Sequence, residues 1–264
     1  HAYITHTESH RYAGAGAGPL LGIGELEALA DGIAGDKAFC LTNNFYSADL
    51  FAVNPATLVA EVEPWPSADN SVPRSLREQF GIETAEVPRT TATQLNLDSP
   101  IDLLAIALAG AGGPRLRALL RDWAPDTTRL AAAARRFTDR HAEVLIAGRA
   151  SARSWQYLER ETACRVRMLA EERGMTAAGR DINGSARSLL GQLIEAVGPE
   201  RCFGELIPEL GDAAFIDLRP VLAHLGIDAR ASDRFAADLG DFGSQQSEAK
   251  LAPSVNVVVQ QVSS

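Results

Sequence analysis

The chain has 264 residues, enough for one large or two ordinary domains, and its 46% hydrophobic content is that of a protein with a real core. A formal net charge of −9 makes the whole molecule a poor match for non-specific binding to nucleic acid. Cys40, Cys164 and Cys202 lie far apart without CxxC spacing, no apolar run reaches ~18 residues and no signal peptide is read. These features predict a cytoplasmic protein with no disulfide framework, zinc ribbon or membrane span.

Residues 2–7 alternate weakly, as a strand would. Residues 12–19 (Tyr-Ala-Gly-Ala-Gly-Ala-Gly-Pro) read as a mobile loop. A helix is expected over 24–34, with Leu26, Leu29, Ala30 and Ile33 on one face. Strands over 38–42 and 48–53 flank a turn. Pro55 opens a helix to about residue 62, and a second helix over 73–80 stops at Gly81. Strands at 84–87 and 93–97 precede helices at 101–109 and 114–123, which Gly110-Ala111-Gly112-Gly113 separates. The second half begins with a helix over 127–140. An apolar strand over 142–147 ends in Gly148-Arg149. Then come a helix at 151–159, a strand at 164–169 and helices at 185–197 and 199–210. A strand over 213–216 ends at Asp217, helices follow at 220–225 and 232–239, and the last strand is 255–262.

Strands that are apolar throughout and alternate with helices predict an α/β protein. The expected architecture is a mostly parallel sheet with flanking helices, followed by a second α/β unit. The break near residues 123–128 divides the chain into 1–123 and 124–264. Charge differs between the halves. Residues 1–122 carry 8 basic and 15 acidic side chains, whereas 123–264 carry 17 and 19. Between Arg129 and Arg187 there are 12 arginines against 7 acids, a local cationic excess in an acidic chain. Lys37 and Lys250 are the only lysines, a usage expected of a GC-rich bacterial genome.

The segment Gln94-Leu95-Asn96-Leu97-Asp98-Ser99-Pro100-Ile101-Asp102-Leu103 reads as a strand, an acid at its end, and a helix opened by Ser-Pro. A carboxylate at a strand end, beside a helix N-terminus, suits Mg²⁺, which takes one or two carboxylates plus phosphate oxygens. The same residues also read as a plain helix cap. Upstream, Asn43-Asn44-Phe45-Tyr46-Ser47-Ala48-Asp49 is a polar turn running into a buried strand. Asn43, Asn44 and Ser47 are candidate ligand contacts and Asp49 a second candidate metal ligand; an Asn-rich hairpin turn is the alternative. Arg89 and Thr90 form a candidate phosphate contact, or an ordinary loop leading into a strand.

This pattern resembles the Asp/Asn-x-x-Pro-x-Asp-Leu segment of nucleotidyltransferases of the molybdenum-cofactor guanylyltransferase type, over residues 38–110. The resemblance implies an acid at Asp98 that helps hold a catalytic Mg²⁺. It also implies transfer of a nucleotidyl group from a nucleoside triphosphate to a phosphorylated small molecule. The family's opening glycine-rich loop and its first metal-binding Asp have no counterpart here. An enzyme whose upstream part precedes His1, or a non-catalytic α/β binding or assembly protein, accounts for that equally. No membrane or nucleic-acid partner is expected.

Other motifs carry less. The glycines of 12–18 lack Gly-Lys-Ser/Thr, and no GxGxxG follows a clear strand. His6, Glu8 and His10 alternate, as three ligands on one strand face or as a solvated segment. Asp217, Asp233 and Asp238 form a candidate acidic cluster that helix capping and a solvated face also explain. Arg149, after an apolar strand and a glycine, is a candidate anion contact at a sheet edge, or one half of an ion pair with Glu159 or Glu161.

Overall fold

The computed structural model describes residues 9–14, 16–35, 37–66, 70–176 and 178–227, and the backbone of a strand at 257–261. The chain divides into two compact units. Unit 1 is His1–Asp98 with Gly110–Asp122, and unit 2 is Ser99–Ala109 with Trp123–Ser264. The readings at 2–7 and 232–239, and those on His6, Glu8, Asp233 and Asp238, lie outside the described residues. No helix among the described residues is long and apolar enough to cross a membrane.

Unit 1 is built on four strands: β1 (His10–Ala13), β2 (Phe39–Thr42), β3 (Leu50–Asn54) and β4 (Glu83–Glu86). Their order is β1-β3-β2-β4. β3 runs antiparallel to both β1 and β2, and β2 pairs with β4 in parallel. This sheet is therefore mixed, and the expectation of a mostly parallel one does not describe it. The antiparallel β2–β3 pair is a hairpin closed by the turn at 43–49. β3 lies between two neighbours, and all five of its residues are buried.

The helices of unit 1 include α1 (Ile23–Asp31), α2 (Thr57–Ala60), α3 (Val72–Phe80) and α4 (Thr91–Gln94). In α3, Val72, Pro73 and Leu76 are buried against Cys40, Phe51 and Val53 of the sheet while its arginines face out. It stops at Gly81, whose φ of +67° suits the left-handed cap that glycine adopts without a Cβ clash. Two expectations fail here. The Asn54–Pro55 bond is cis, and α2 starts only at Thr57. Residues 93–97 are not a strand. Thr90 accepts a hydrogen bond from Thr93 N and nucleates α4, and only an isolated bridge at Asn96 survives. The β-branched threonines favour a strand locally, but the reciprocal Thr90–Thr93 cap satisfies helix-terminal N–H groups instead.

The helix after Asp98, α5 (Pro100–Ala109), belongs to unit 2, whereas α6 (Pro114–Trp123) returns to unit 1 up to Asp122. The rest of unit 2 is α7 (Thr128–Arg135), β5 (Glu143–Gly148), α8 (Ala152–Glu161), β6 (Arg165–Ala170), α9 (Leu189–Val197), α10 (Pro199–Arg201), β7 (Ala213–Asp217), α11 (Arg219–His224) and β8 (Val257–Gln261). The expected helix over 199–210 is broken. Pro199–Arg201 is α-helical, Cys202–Leu206 is a π-turn and Pro208–Leu210 is 3-10, with Pro208 lacking the N–H a continuous helix needs.

The sheet order is β6-β5-β7-β8, with β5 parallel to both β6 and β7, and β8 antiparallel to β7. Alternate residues of β5 and β7 face opposite sides. Leu145, Ala147, Ala214 and Ile216 meet Leu190 and Ile194 of α9 and Val221 and Leu222 of α11. On the other side Phe215 stacks on Phe137, with ring centroids 5.1 Å apart. The β5-α8-β6 and β6-α9-β7 connections run in opposite directions across the sheet, the second passing over β5. Right-handed crossovers therefore put α8 and α9 on opposite faces.

The thiols report on this packing. Burial pushes the Cys40 thiol up to about 12 and raises Cys202 as well, while Cys164 is half-buried. The nucleophile in disulfide exchange is the thiolate. We expect a native-state titration with an aromatic disulfide reagent at pH 8 to label Cys164 alone, and all three cysteines after denaturation. Native labelling of Cys40 at the rate of Cys164 would contradict the buried β2.

Candidate functional site

Asp49 closes the turn before β3, and Asp98 lies in the segment that leads out of unit 1. They are 49 positions apart in sequence, yet the Asn96 side chain joins them: its Nδ2 donates to Asp49 Oδ1 at 3.0 Å and to Asp98 Oδ1 at 3.0 Å. Both carboxylates are half-buried. The glycine loop supports this arrangement from below. Gly14 N donates to the Asp49 carbonyl at 2.8 Å, and Leu97 N donates to the Gly16 carbonyl at 2.9 Å. A Cβ at Gly16 would lie 2.6 Å from the Leu97 carbonyl oxygen and 2.7 Å from Asn96 Oδ1. The loop is therefore seated on Asn96–Leu97, where the sequence suggested a mobile segment, and glycine is required by close backbone approach.

Of the other candidates of unit 1, Asn43, Asn44, Arg89 and Thr90 are engaged within the fold. Asn43 is buried: its Nδ2 donates to the Thr93 carbonyl at 3.0 Å, and its Oδ1 accepts from Asp49 N at 3.1 Å and Leu50 N at 3.0 Å. Asn44 Oδ1 accepts from Tyr46 N, closing an Asx turn. Ser47 is half-buried in the same turn. The turn is held from outside by α3: the Arg77 guanidinium lies 3.8 Å from the Phe45 ring centroid. Arg89 forks onto Glu86, with Nη2 2.9 Å from Oε1 and Nε 3.3 Å from Oε2. Glu86 Oε1 also accepts from Phe45 N. Thr90 caps α4. Asn43 thus braces the backbone at Asp49, while Arg89 is paired with Glu86 and Thr90 is used as a helix cap.

Unit 2 has its own charged cluster, at the carboxyl ends of β5 and β7. Arg149 Nε donates to Asp217 Oδ2 at 2.9 Å. Arg219 donates from Nε to Oδ1 at 2.7 Å, from Nη2 to Oδ2 at 2.8 Å and from its backbone N to Oδ1 at 3.1 Å. Burial opposes ionisation of Asp217. The hydrogen bond and charge of Arg219, with Arg149 behind them, outweigh burial and hold the carboxyl below its ordinary value. Gly148 permits the contact, since its φ is +115° and a Cβ there would meet Asp217 Cβ at 2.6 Å. Arg149 is thus paired, but with Asp217, not with Glu159 or Glu161.

Asn96, Asp217 and Arg219 carry these sites, and the sequence reading assigned no role to Asn96 or Arg219. For Asn96 a signal existed in its two-residue offset from Asp98. For Arg219 it lay in its position just past a strand-end acid. Among the described residues no group of three or more His, Cys, Asp or Glu is arranged to hold a metal ion. Two carboxylates are the kind of oxygen ligand Mg²⁺ takes alongside phosphate and water, and Asn96 reaches them through its Nδ2, an N–H donor that orients them and does not coordinate. No protein-family model matches the chain, and no curated protein or solved structure is significantly similar to it.

Proposed function

We propose that the protein is nucleotidyltransferase-like, moving a nucleotidyl group from a nucleoside triphosphate to a phosphorylated small molecule with Mg²⁺ held at Asp49 and Asp98. The observation that carries this reading is the shared Asn96 amide. It holds two half-buried carboxylates of an acidic unit side by side, at an electrostatic cost that a divalent cation would offset. Asp49 and Asp98 bind, and Asn96 fixes their orientation. When bound, the ion supplies charge neutralisation on phosphate oxygens. The sequence resemblance over residues 38–110 supports the same assignment of Asp98.

A different observation favours a second reading, a non-catalytic α/β binding or assembly protein. Asn43, Arg89 and Thr90 are engaged inside the fold, and Arg89 is neutralised by Glu86. One experiment separates the two. Calorimetric titration of Mg²⁺ with GTP or CTP is expected to show binding to the wild type. Asp98→Ala and Asp49→Ala should each weaken it by about tenfold or more, and Asn96→Ala by a similar factor through lost orientation. Equal Mg²⁺·nucleotide binding by wild type and Asp98→Ala removes the metal role and leaves the second reading.

A further inference from the structure

We infer that the carboxyl edge of the unit 2 sheet is a phosphoryl-binding site, with Arg149 and Arg219 as its cationic floor. The inference is independent of the Mg²⁺ reading of unit 1, because it uses residues of unit 2 alone.

Topology supplies the first argument. β5 lies between β6 and β7, so the chain leaves β5 toward β6 and later returns to lay β7 on its other side. The loop after β5 leads to α8, on the face opposite α9, whereas the loop after β7 leads to α11, which packs with α9. Two adjacent strand ends whose loops diverge to opposite faces leave a crevice between them, where open α/β sheets take their ligands. Arg149 follows β5 directly, and Asp217-Leu218-Arg219 ends β7.

Charge supplies the second. Two guanidinium groups share one carboxylate, which leaves the cluster with a net positive charge. Side-chain exposure is 23% for Arg149, 24% for Arg219 and 15% for Asp217, so all three are largely withdrawn from water. Neutralising Asp217 needs only one arginine, and Arg219 already grips both carboxylate oxygens. Arg149 contributes a single bond from Nε, and among the described residues neither of its η nitrogens has a hydrogen-bond partner. The acids of the neighbouring loop after β6 are turned elsewhere. Glu171 accepts from Ser188 Oγ and Leu189 N, and Glu172 accepts from Arg180 and Arg187 N.

The turn supplies the third. Gly148-Arg149-Ala150-Ser151 carries the chain from β5 into α8, a ten-residue helix capped by Ser151, whose Oγ accepts from Ser154 N. The positive end of that helix therefore follows Arg149 by two residues. A guanidinium fork beside a helix N-terminus offers more donors than the two oxygens of a carboxylate use. The three oxygens and near-dianionic charge of a phosphoryl group suit it better.

The test is calorimetric titration of the full chain with inorganic phosphate, and with acetate at matched ionic strength. The wild type should bind phosphate and not acetate. Arg149→Ala should weaken phosphate binding by about tenfold or more, the loss expected for a charge-assisted contact. Its melting temperature should stay close to that of the wild type, because Arg219 still pairs with Asp217. Arg149→Lys keeps the charge but removes the fork, so it should fold even where the alanine variant does not and should still bind phosphate more weakly. Asp98→Ala should bind phosphate as the wild type does. Wild-type protein that fails to bind phosphate, or binds acetate equally, overturns the proposal. So does unchanged affinity in Arg149→Lys, or a loss of phosphate that follows Asp98→Ala instead.

Discussion

Gly148→Ala should destabilise the second unit by about 3 kcal/mol or more, combining a strained backbone with an overpacked contact. For a unit of this size that corresponds to a fall in melting temperature of roughly 10 °C. Two separate terms contribute. A φ of +115° is a conformation L side chains rarely adopt, and the added Cβ would come within 2.6 Å of Asp217 Cβ and 2.8 Å of the Asp217 carbonyl oxygen. Neither neighbour is the far end of a flexible side chain, so β5 and β7 must separate to accept it. Gly174→Ala isolates the first term. Its φ is +78°, but among the described residues nothing lies within 4 Å of the added Cβ, so it should cost only about 1 kcal/mol. Thermal unfolding of the two variants side by side checks the argument. Equal and small losses would mean that the strand ends are not in the close contact described, and the Arg149–Asp217 pair would lose its geometric support.

This region also shows where sequence reasoning reaches and where it stops. β5 was legible because a run such as Val144-Leu145-Ile146-Ala147 is apolar on both faces, the mark of a strand covered by a layer on each face of its sheet. α6 was legible because Pro114 opens it and its pattern is unambiguous. Gly81 was legible as a helix stop for the reason its φ shows. What failed was decided by partners remote in sequence or by competing local bonds. Residues 93–97 carried β-branched and apolar side chains, yet the Thr90–Thr93 cap turned the first of them into helix. Asp98 consequently follows an irregular segment instead of a strand, and its link to Asp49 runs through Asn96, read as a strand interior. Arg149 follows a strand end, as its place after Gly148 implies, but its carboxylate is 68 positions away, beyond any helical or turn spacing. The mixed order of the unit 1 sheet was hidden for the same reason. A short apolar strand carries no mark of the direction in which its neighbour runs.

Asn43→Ala should be the most damaging polar substitution in unit 1, at about 3–5 kcal/mol. It strands several buried backbone groups at once, each costing about 1–3 kcal/mol when left unsatisfied. The side chain accepts from Asp49 N and Leu50 N and donates to the Thr93 carbonyl, so it ties the start of β3 to α4 across 50 positions of sequence. Alanine cannot replace any of the three bonds, and the site is closed to bulk water. Asn44→Ala is the matched comparison. Among the described residues its Oδ1 meets only Tyr46 N, in an exposed part of the turn, and its loss should cost under about 1 kcal/mol, as for a hydrogen bond that water can replace. The pair of variants distinguishes a bracing role from a ligand-contacting one. A ligand-contacting Asn43 would leave the unfolding midpoint in urea nearly unchanged on substitution and lower nucleotide binding. A bracing Asn43 lowers the midpoint first, and weakens Mg²⁺ binding only because Asp49, whose backbone N it holds, is released with it. A stable Asn43→Ala protein with impaired nucleotide binding would therefore return Asn43 to the substrate side of the site and overturn its assignment to the scaffold.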